Sequence, residues 1–269
     1  MTVYDENDAD HAMNTDDASV IEVDDFGKDY GGFTAVQGLS FTVRPGEIVG
    51  LVGANGAGKT TTLRAITGIL KPTRGTIRVG GWDLERDSVA AKQQFAYIPD
   101  TVHPYDLLTV TEHLHFIALA YRVKDAEAKY GPLLEELGLA DKRDQMASSL
   151  SRGMTQKLAL ACAFVREPRI VILDEPLTGL DPRGIRNIKE SIRRRAADGC
   201  AFLLSSHLLH LVEALCDQVL ILHHGRKMAF GSLEDIRALA TLHSDASLED
   251  VFFAVTEHSA NPPALPAAL

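Results

Sequence analysis

The residues Gly53-Ala54-Asn55-Gly56-Ala57-Gly58-Lys59-Thr60 carry the densest chemistry in this chain. They satisfy G-x-x-x-x-G-K-[ST] directly after an apolar run (Ile48, Val49, Leu51, Val52) and directly before a helical pattern, the context that this motif requires. Its glycines let successive backbone N–H groups curl around phosphate oxygens at a helix N-terminus. Lys59 adds a point charge on the β and γ phosphates, and the Thr60 hydroxyl, followed by Thr61, suits a ligand of Mg²⁺. A second run, Ile170-Val171-Ile172-Leu173-Asp174-Glu175, is an apolar strand that ends in two carboxylates. Such an end lies at the carboxyl edge of a doubly wound sheet, where ligands bind. There Asp174 can hold Mg²⁺ through its water shell. Glu175 can take a proton from an attacking water, a role worth about 10²–10⁴ in rate. Together the two runs predict a nucleoside triphosphate site.

Positioning these groups requires alternating strands and helices. Short β-rich runs occupy residues 20–26, 39–43 and 47–53, punctuated by Gly31-Gly32 and Pro45-Gly46. A helix is predicted from near Gly58 to about Gly68, with Leu63, Ile66 and Ile69 at helical spacing and Lys71-Pro72 ending it. Residues 75–80 read as a further strand. From about residue 86 to 168 the pattern is helical, with stretches at 111–121, 125–137 and 155–165 and turn signals at Pro99, Pro104 and Gly131-Pro132. Beyond it, apolar runs at 170–173, 201–204 and 218–222 alternate with helical segments, as in a parallel sheet covered on both faces. The class is α/β.

Composition narrows the function. The 269 residues hold 37 acidic and 27 basic side chains, and the formal net charge is −10. Nine of the acids fall in residues 1–27 (Asp5, Glu6, Asp8, Asp10, Asp16, Asp17, Glu22, Asp24, Asp25), which contain no Lys or Arg, so the remaining body is nearly neutral. Without a basic surplus there is no footprint for neutralising nucleic-acid phosphates, and no nucleic-acid partner is expected. The longest unbroken apolar run, residues 158–165, falls short of the roughly 20 residues that a membrane-spanning helix needs. The first residues lack the basic start and apolar stretch of a secretory signal, which predicts a cytoplasmic chain. Cys162, Cys200 and Cys216 fit neither a disulfide framework nor a zinc site and are expected to be inert. His113 and His115 should point to different helix faces, and His207 and His210 lack a third ligand.

Further motifs appear in a fixed order. Leu150-Ser151-Arg152-Gly153-Met154 precedes Asp174-Glu175-Pro176, which is followed by Gly179-Leu180-Asp181-Pro182 and then by Ser205-Ser206-His207. This set resembles the ATP-binding-cassette (ABC) superfamily: the L-S-G-G-Q signature, the D-loop and the switch-histidine segment, with Tyr30 where that family stacks a ring on adenine. The resemblance covers about residues 20–256. It leaves residues 1–19 as an acidic disordered leader and 257–269 as a Pro/Ala-rich disordered tail. It implies an ABC-type P-loop core with a mixed, largely parallel sheet, an N-terminal antiparallel β subdomain and an inserted helical subdomain at about residues 100–165. It also implies that two subunits bind head to tail, as a homodimer or heterodimer, around two ATP and Mg²⁺. Ser151, Arg152, Gly153 and Met154 would then meet ATP held by the partner. His207 would contact the γ-phosphate, and Asp181 would link the two sites. Adenine stacking on Tyr30 is expected to contribute about 1–3 kcal/mol.

Two positions depart from the family pattern. The Q-loop glutamine is replaced by Asp100, after Tyr97-Ile98-Pro99. Its carboxylate is shorter and cannot donate a hydrogen bond; it either ligates Mg²⁺, directly or through water, or is a solvated loop acid. Arg152 replaces the first signature glycine and either adds a cation near the transferred phosphate or sits in solvent. With no span of its own, an ATPase of this kind implies an integral membrane permease that holds it on the inner face of the cell membrane. The L-S-R-G-M signature, Leu108-Thr109-Val110-Thr111-Glu112 and residues 247–252 resemble ATPase subunits of bacterial exporters of drug-like, lipid or peptide substrates. A permease is expected near residues 100–115. A soluble non-transport relative or a regulatory nucleotide-binding module is the alternative, and the latter would require a damaged site.

Overall fold

The computed structural model describes residues 19–243 and 245–257. The acidic leader falls almost wholly outside them, and the Pro/Ala-rich tail lies outside them. In chain order, β1 (Ile21–Tyr30) and β2 (Phe33–Val43) form an antiparallel hairpin, followed by β3 (Ile48–Val52), α1 (Lys59–Ile66), β4 (Arg74–Val79), β5 (Trp82–Asp83), α2 (Ser88–Gln93) and β6 (Phe95–Ile98). Next come α3 (Val110–Ala120), α4 (Ala126–Leu137), α5 (Arg152–Phe164), β7 (Ile170–Asp174), α6 (Pro182–Ala197) and β8 (Ala201–Ser205). The described chain closes with α7 (Leu209–Leu215), β9 (Gln218–His223), β10 (Arg226–Gly231), α8 (Leu233–Leu239) and α9 (Leu248–Glu257).

One sheet has the order β2-β1-β4-β5 and is antiparallel; the other has the order β10-β9-β3-β8-β7-β6. From β9 to β6 its strands are parallel, and β10 adds an antiparallel edge. This is the mixed, largely parallel sheet that the family resemblance implies. Parallelism has a direct consequence for function: β6, β7, β8 and β3 all end at the same edge, so Asp100, Asp174, His207 and Gly53 gather there.

Two apolar layers hold the parallel sheet. Val171, Leu173, Phe202 and Leu204 pack toward the helices, and Ile170, Ile172, Ala201 and Leu203 toward the antiparallel sheet, the period-2 alternation of strands buried on both faces. Phe202, fully buried on central β8, is the largest anchor of the first layer. Phe202→Ala is expected to cost about 3–5 kcal/mol of unfolding free energy, read by urea denaturation; a loss under about 1 kcal/mol would show that the layer closes over the gap.

Several local expectations change. The turn signal at Gly131-Pro132 is overridden, because both residues lie inside α4. Pro132 removes one intrahelical hydrogen bond, but Ala126, Tyr130, Leu133, Leu134 and Leu137 bury one face and outweigh it. The predominantly helical span from residue 86 contains strand β6, whose Phe95, Ala96 and Ile98 are buried. Ile69, placed on the buried face of the first helix by spacing, is exposed because α1 ends at Ile66. The helix expected from Thr155 begins at Arg152, so three signature residues form its first turn. Buried His113 bonds locally to Thr109 and Tyr105, whereas His115 is exposed.

Candidate nucleotide site

The loop between β3 and α1 is shaped by close approaches. A Cβ at Gly53 would stand 2.5 Å from the Leu222 carbonyl oxygen. Gly58, with φ +105°, would bring one within 3.0 Å of the Ala35 oxygen. Both glycines are therefore demanded by packing. Gly56 is different: its φ is +80°, yet a Cβ there would meet open space. Its left-handed backbone favours glycine, in the loop whose N–H groups the motif assigns to phosphate. The β9–β10 turn fastens the loop, with the Gly225 N–H donating to the Ala57 oxygen at 3.1 Å. Asn55 and Gly56 are exposed, Ala57 and Gly58 buried. Lys59, Thr60 and Thr61 open α1, where backbone N–H groups have no partner within the helix.

The Lys59 ammonium is nearly buried and donates to the Gly53 oxygen at 2.6 Å and the Ala54 oxygen at 3.2 Å. Burial lowers its pKa, while the negative charges of Glu175 and Asp174 pull it back up.

Asp174 is 3% exposed, and its Oδ1 accepts from the Ser205 hydroxyl at 2.5 Å. Register explains this contact, because Asp174 lies opposite Ser205 on the neighbouring parallel strand. The same Ser205 Oγ accepts the Glu175 N–H at 3.1 Å. Glu175 has φ +52°, a costly conformation for a residue with a Cβ, and it is this turn that lets successive carboxylates face different partners. Its Oε2 accepts from His207 Nδ1 at 2.9 Å and from the His207 N–H at 3.4 Å. Ser205 is thus the hub of the carboxylate pair. The sequence placed it within the switch-histidine segment but gave it no role, and only the strand register reveals one.

The signature and D-loop residues also serve as helix caps. Ser151 is the N-cap of α5, its Oγ accepting the Met154 N–H at 3.3 Å, so its own proton remains free to donate. Arg152 and Gly153 follow in the first turn, with N–H groups that need outside acceptors. Asp181 caps α6 by accepting the Gly184 N–H at 2.5 Å. Gly153 packs closely on the D-loop, where a Cβ would stand 3.1 Å from the Gly179 oxygen.

Asp100 is half exposed, and its Oδ1 lies 3.8 Å from Arg152 Nη2. Arg152 therefore has a third reading that the sequence did not offer, an ion pair inside its own chain. Tyr97, two residues before Pro99, is half-buried and faces the charges of Asp174 and Asp100; burial, more than those charges, pushes its pKa up to about 12. Tyr30 closes β1 opposite Phe33, half exposed, with Lys28 Nζ 5.2 Å from its ring centroid. The hairpin reaches the phosphate loop through Ala35, whose oxygen borders Gly58. The thiols of Cys162 and Cys200 are raised to about 12 by burial, and that of Cys216 is raised further.

A groove of about 330 Å³ runs between β6, α3 and α5, lined by Pro104, Tyr105, His113, Phe116, Tyr121 and Cys162 among others. Tyr105, Phe116 and Tyr121 are all substantially exposed. The Tyr105 backbone N–H donates to His113 Nε2 at 3.0 Å, and His113 Nδ1 pairs with the Thr109 oxygen at 2.8 Å, which fixes the ring's orientation and the loop above the groove. Among the described residues no helix is long and apolar enough to cross a membrane.

Comparison with known proteins agrees with this geometry. Residues 36–178 match the family profile of ABC transporters. The ABC-type transporter ATP-binding protein EcsA of Bacillus subtilis is 38% identical over 235 residues, spanning 86% of this chain and 95% of EcsA. The Nod factor export ATP-binding protein I of Paraburkholderia xenovorans is 41% identical over 216 residues, spanning 80% of this chain and 71% of that protein. A solved ATP-binding subunit of an ABC transporter superposes with a TM-score of 0.84 at 39% identity, covering 88% of this chain and 99% of that one. The fold, the profile and these relatives place the chain in the ABC transporter family, as an ATP-binding subunit of the class of ATPases coupled to transport.

Proposed function

We propose that the chain powers export through a separate membrane permease, by closing head to tail with a second subunit around two ATP. The observation that carries this reading is the intact hydrolytic constellation at one sheet edge: Lys59, Asp174, and the Glu175–His207 pair held by Ser205. In this reading the phosphate loop and Lys59 bind the triphosphate, and Tyr30 stacks on the base. Glu175 accepts the proton of the attacking water, and His207, aligned by Glu175, holds the γ-phosphate. Ser151 donates its free hydroxyl proton to ATP on the partner subunit, and the Arg152, Gly153 and Met154 turn directs the positive end of α5 toward the same phosphate. Asp181, fixed as a helix cap beside Gly153, carries the state of one site to the other.

The donor set fits Mg²⁺, a hard cation that takes oxygen ligands and keeps several waters. Thr60 and the Asp174 oxygen not engaged by Ser205 would hold it, with Asp100 as a further ligand through water. When bound, the ion supplies neutralisation of charge on the β and γ oxygens.

A permease segment docks in the groove over α3 and α5, since its exposed rings are the kind of apolar patch that marks an interaction site. The permease thereby holds the chain on the cytoplasmic face. The relative named for Nod factor export supports the outward direction. Reconstitution in lipid vesicles with a candidate multi-span permease tests the whole reading. ATP turnover should rise with the permease present, and absence of hydrolysis in either sample would sink it. Replacing Tyr105 and Phe116 together by Ala should weaken permease binding by about 2 kcal/mol or more, roughly thirtyfold, as measured by titration of labelled permease in detergent. An unchanged affinity would move the docking site elsewhere.

A further inference from the structure

The two departures from the family pattern are in contact with one another. Arg152 and Asp100 lie 52 positions apart, one opening α5 and the other two residues beyond β6, yet their side chains pair at 3.8 Å. The stem of Arg152 crosses the D-loop on its way, with its Cδ 3.5 Å from where a Cβ of Gly179 would stand. One side chain therefore touches the signature, the D-loop and the Q-loop position of the same subunit.

Local stability gives no reason for Arg152. A cation at the first position of a helix faces the positive end of the helix dipole and is disfavoured there. The pair is exposed on both sides, 69% for Arg152 and 51% for Asp100, and exposed ion pairs add little to folding. A weak, exposed contact between the first turn of α5 and the segment after β6 suits a part that must let go.

We propose that Arg152 and Asp100 form a latch that shares one cation between two nucleotide sites. With subunits apart, Arg152 neutralises Asp100 beside the subunit's own site. On closure, Arg152 turns to the γ-phosphate bound by the partner subunit, and Asp100 is released to the metal shell of its own site. The latch rests on the head-to-tail dimer of the proposed function and adds to it a route by which filling one site alters the other.

The test measures the ATP concentration that half-converts monomer to dimer in gel filtration at constant Mg²⁺, in a Glu175→Gln background. Asp100→Asn should free Arg152 and lower that concentration about two- to fivefold, the range an exposed ion pair supports. Asp100→Glu, which keeps the charge, should lower it less than Asp100→Asn does. In a chain that also carries Arg152→Ala, Asp100→Asn should no longer lower it. Any loss from the metal shell is common to both backgrounds and cancels in the comparison. Equal effects of Asp100→Asn with and without Arg152, or no effect in either, overturn the latch. A Glu175→Gln chain that never dimerises with ATP overturns the dimer itself and the latch with it, whereas a dimer insensitive to the pair removes the latch alone.

Discussion

Glu175→Gln is expected to slow ATP hydrolysis by roughly 10²–10⁴, the range for losing a general base, while leaving fold and nucleotide binding in place. The substitution is nearly isosteric, and the backbone contacts that set the turn do not involve the carboxylate: the Glu175 N–H donates to Ser205 Oγ at 3.1 Å and to the Ser205 oxygen at 3.2 Å. An amide oxygen in place of Oε2 still accepts from His207 Nδ1 and from the His207 N–H, so the histidine keeps its orientation. What is lost is the capacity to take a proton from water. With hydrolysis blocked and binding intact, ATP should hold two subunits together, and gel filtration with ATP should show a dimer absent without it. Phosphate release and elution volume are read on the same sample. Unchanged turnover would remove Glu175 as the base; slow turnover without a dimer would separate catalysis from subunit closure. Glu175→Ala serves as contrast, because it also frees His207.

The nucleotide site was legible in the sequence to the extent that its chemistry is contiguous. A phosphate cradle needs consecutive N–H groups, so Gly53 to Thr60 announces itself, and an apolar strand ending in Asp174-Glu175 can point only to a sheet edge. The α/β alternation was legible for a related reason: β7 and β8 are buried on both faces, leaving runs such as Ile170 to Leu173 with hardly a polar interruption. The rest depends on which strand lies beside which. Ser205 joins Asp174 to Glu175 only because β7 and β8 are parallel neighbours in one register, and the spacing of 31 residues carries no trace of it. Arg152 and Asp100 read as two separate anomalies until α5 and the end of β6 are seen to meet. Pro132 misleads for the converse reason, since a local breaker is overruled by burial that the breaker cannot report. Short β6 is hidden between helices because four residues are too few to establish a period.

Lys59→Ala should weaken ATP binding by roughly 10- to 150-fold, corresponding to about 1.5–3 kcal/mol for a hydrogen bond to a charged group, and abolish measurable hydrolysis with it. Lys59 is held in advance, its ammonium fixed by the Gly53 and Ala54 oxygens, so little conformational freedom is lost when a phosphate becomes its partner. Titration with a fluorescent ATP analogue reads the affinity, and a loss under about threefold would show that the backbone cradle does the binding alone. The same residue predicts two pH effects of opposite sign. Burial holds the Lys59 pKa below its ordinary 10.5, so on the alkaline side, between the lowered value and 10.5, the unfolded chain keeps a proton that the folded chain has lost. Stability from this group therefore rises with pH through that window. ATP affinity falls over the same window, because the neutral amine no longer attracts phosphate. Bound triphosphate should shift the titration back upward, since an anion at hydrogen-bonding distance favours the charged form. Affinity measured from neutral pH toward 10.5 should thus decline in the wild type, and in Lys59→Ala that component of the decline should vanish. Equal decline in both proteins would assign it to other groups and leave Lys59 charged throughout.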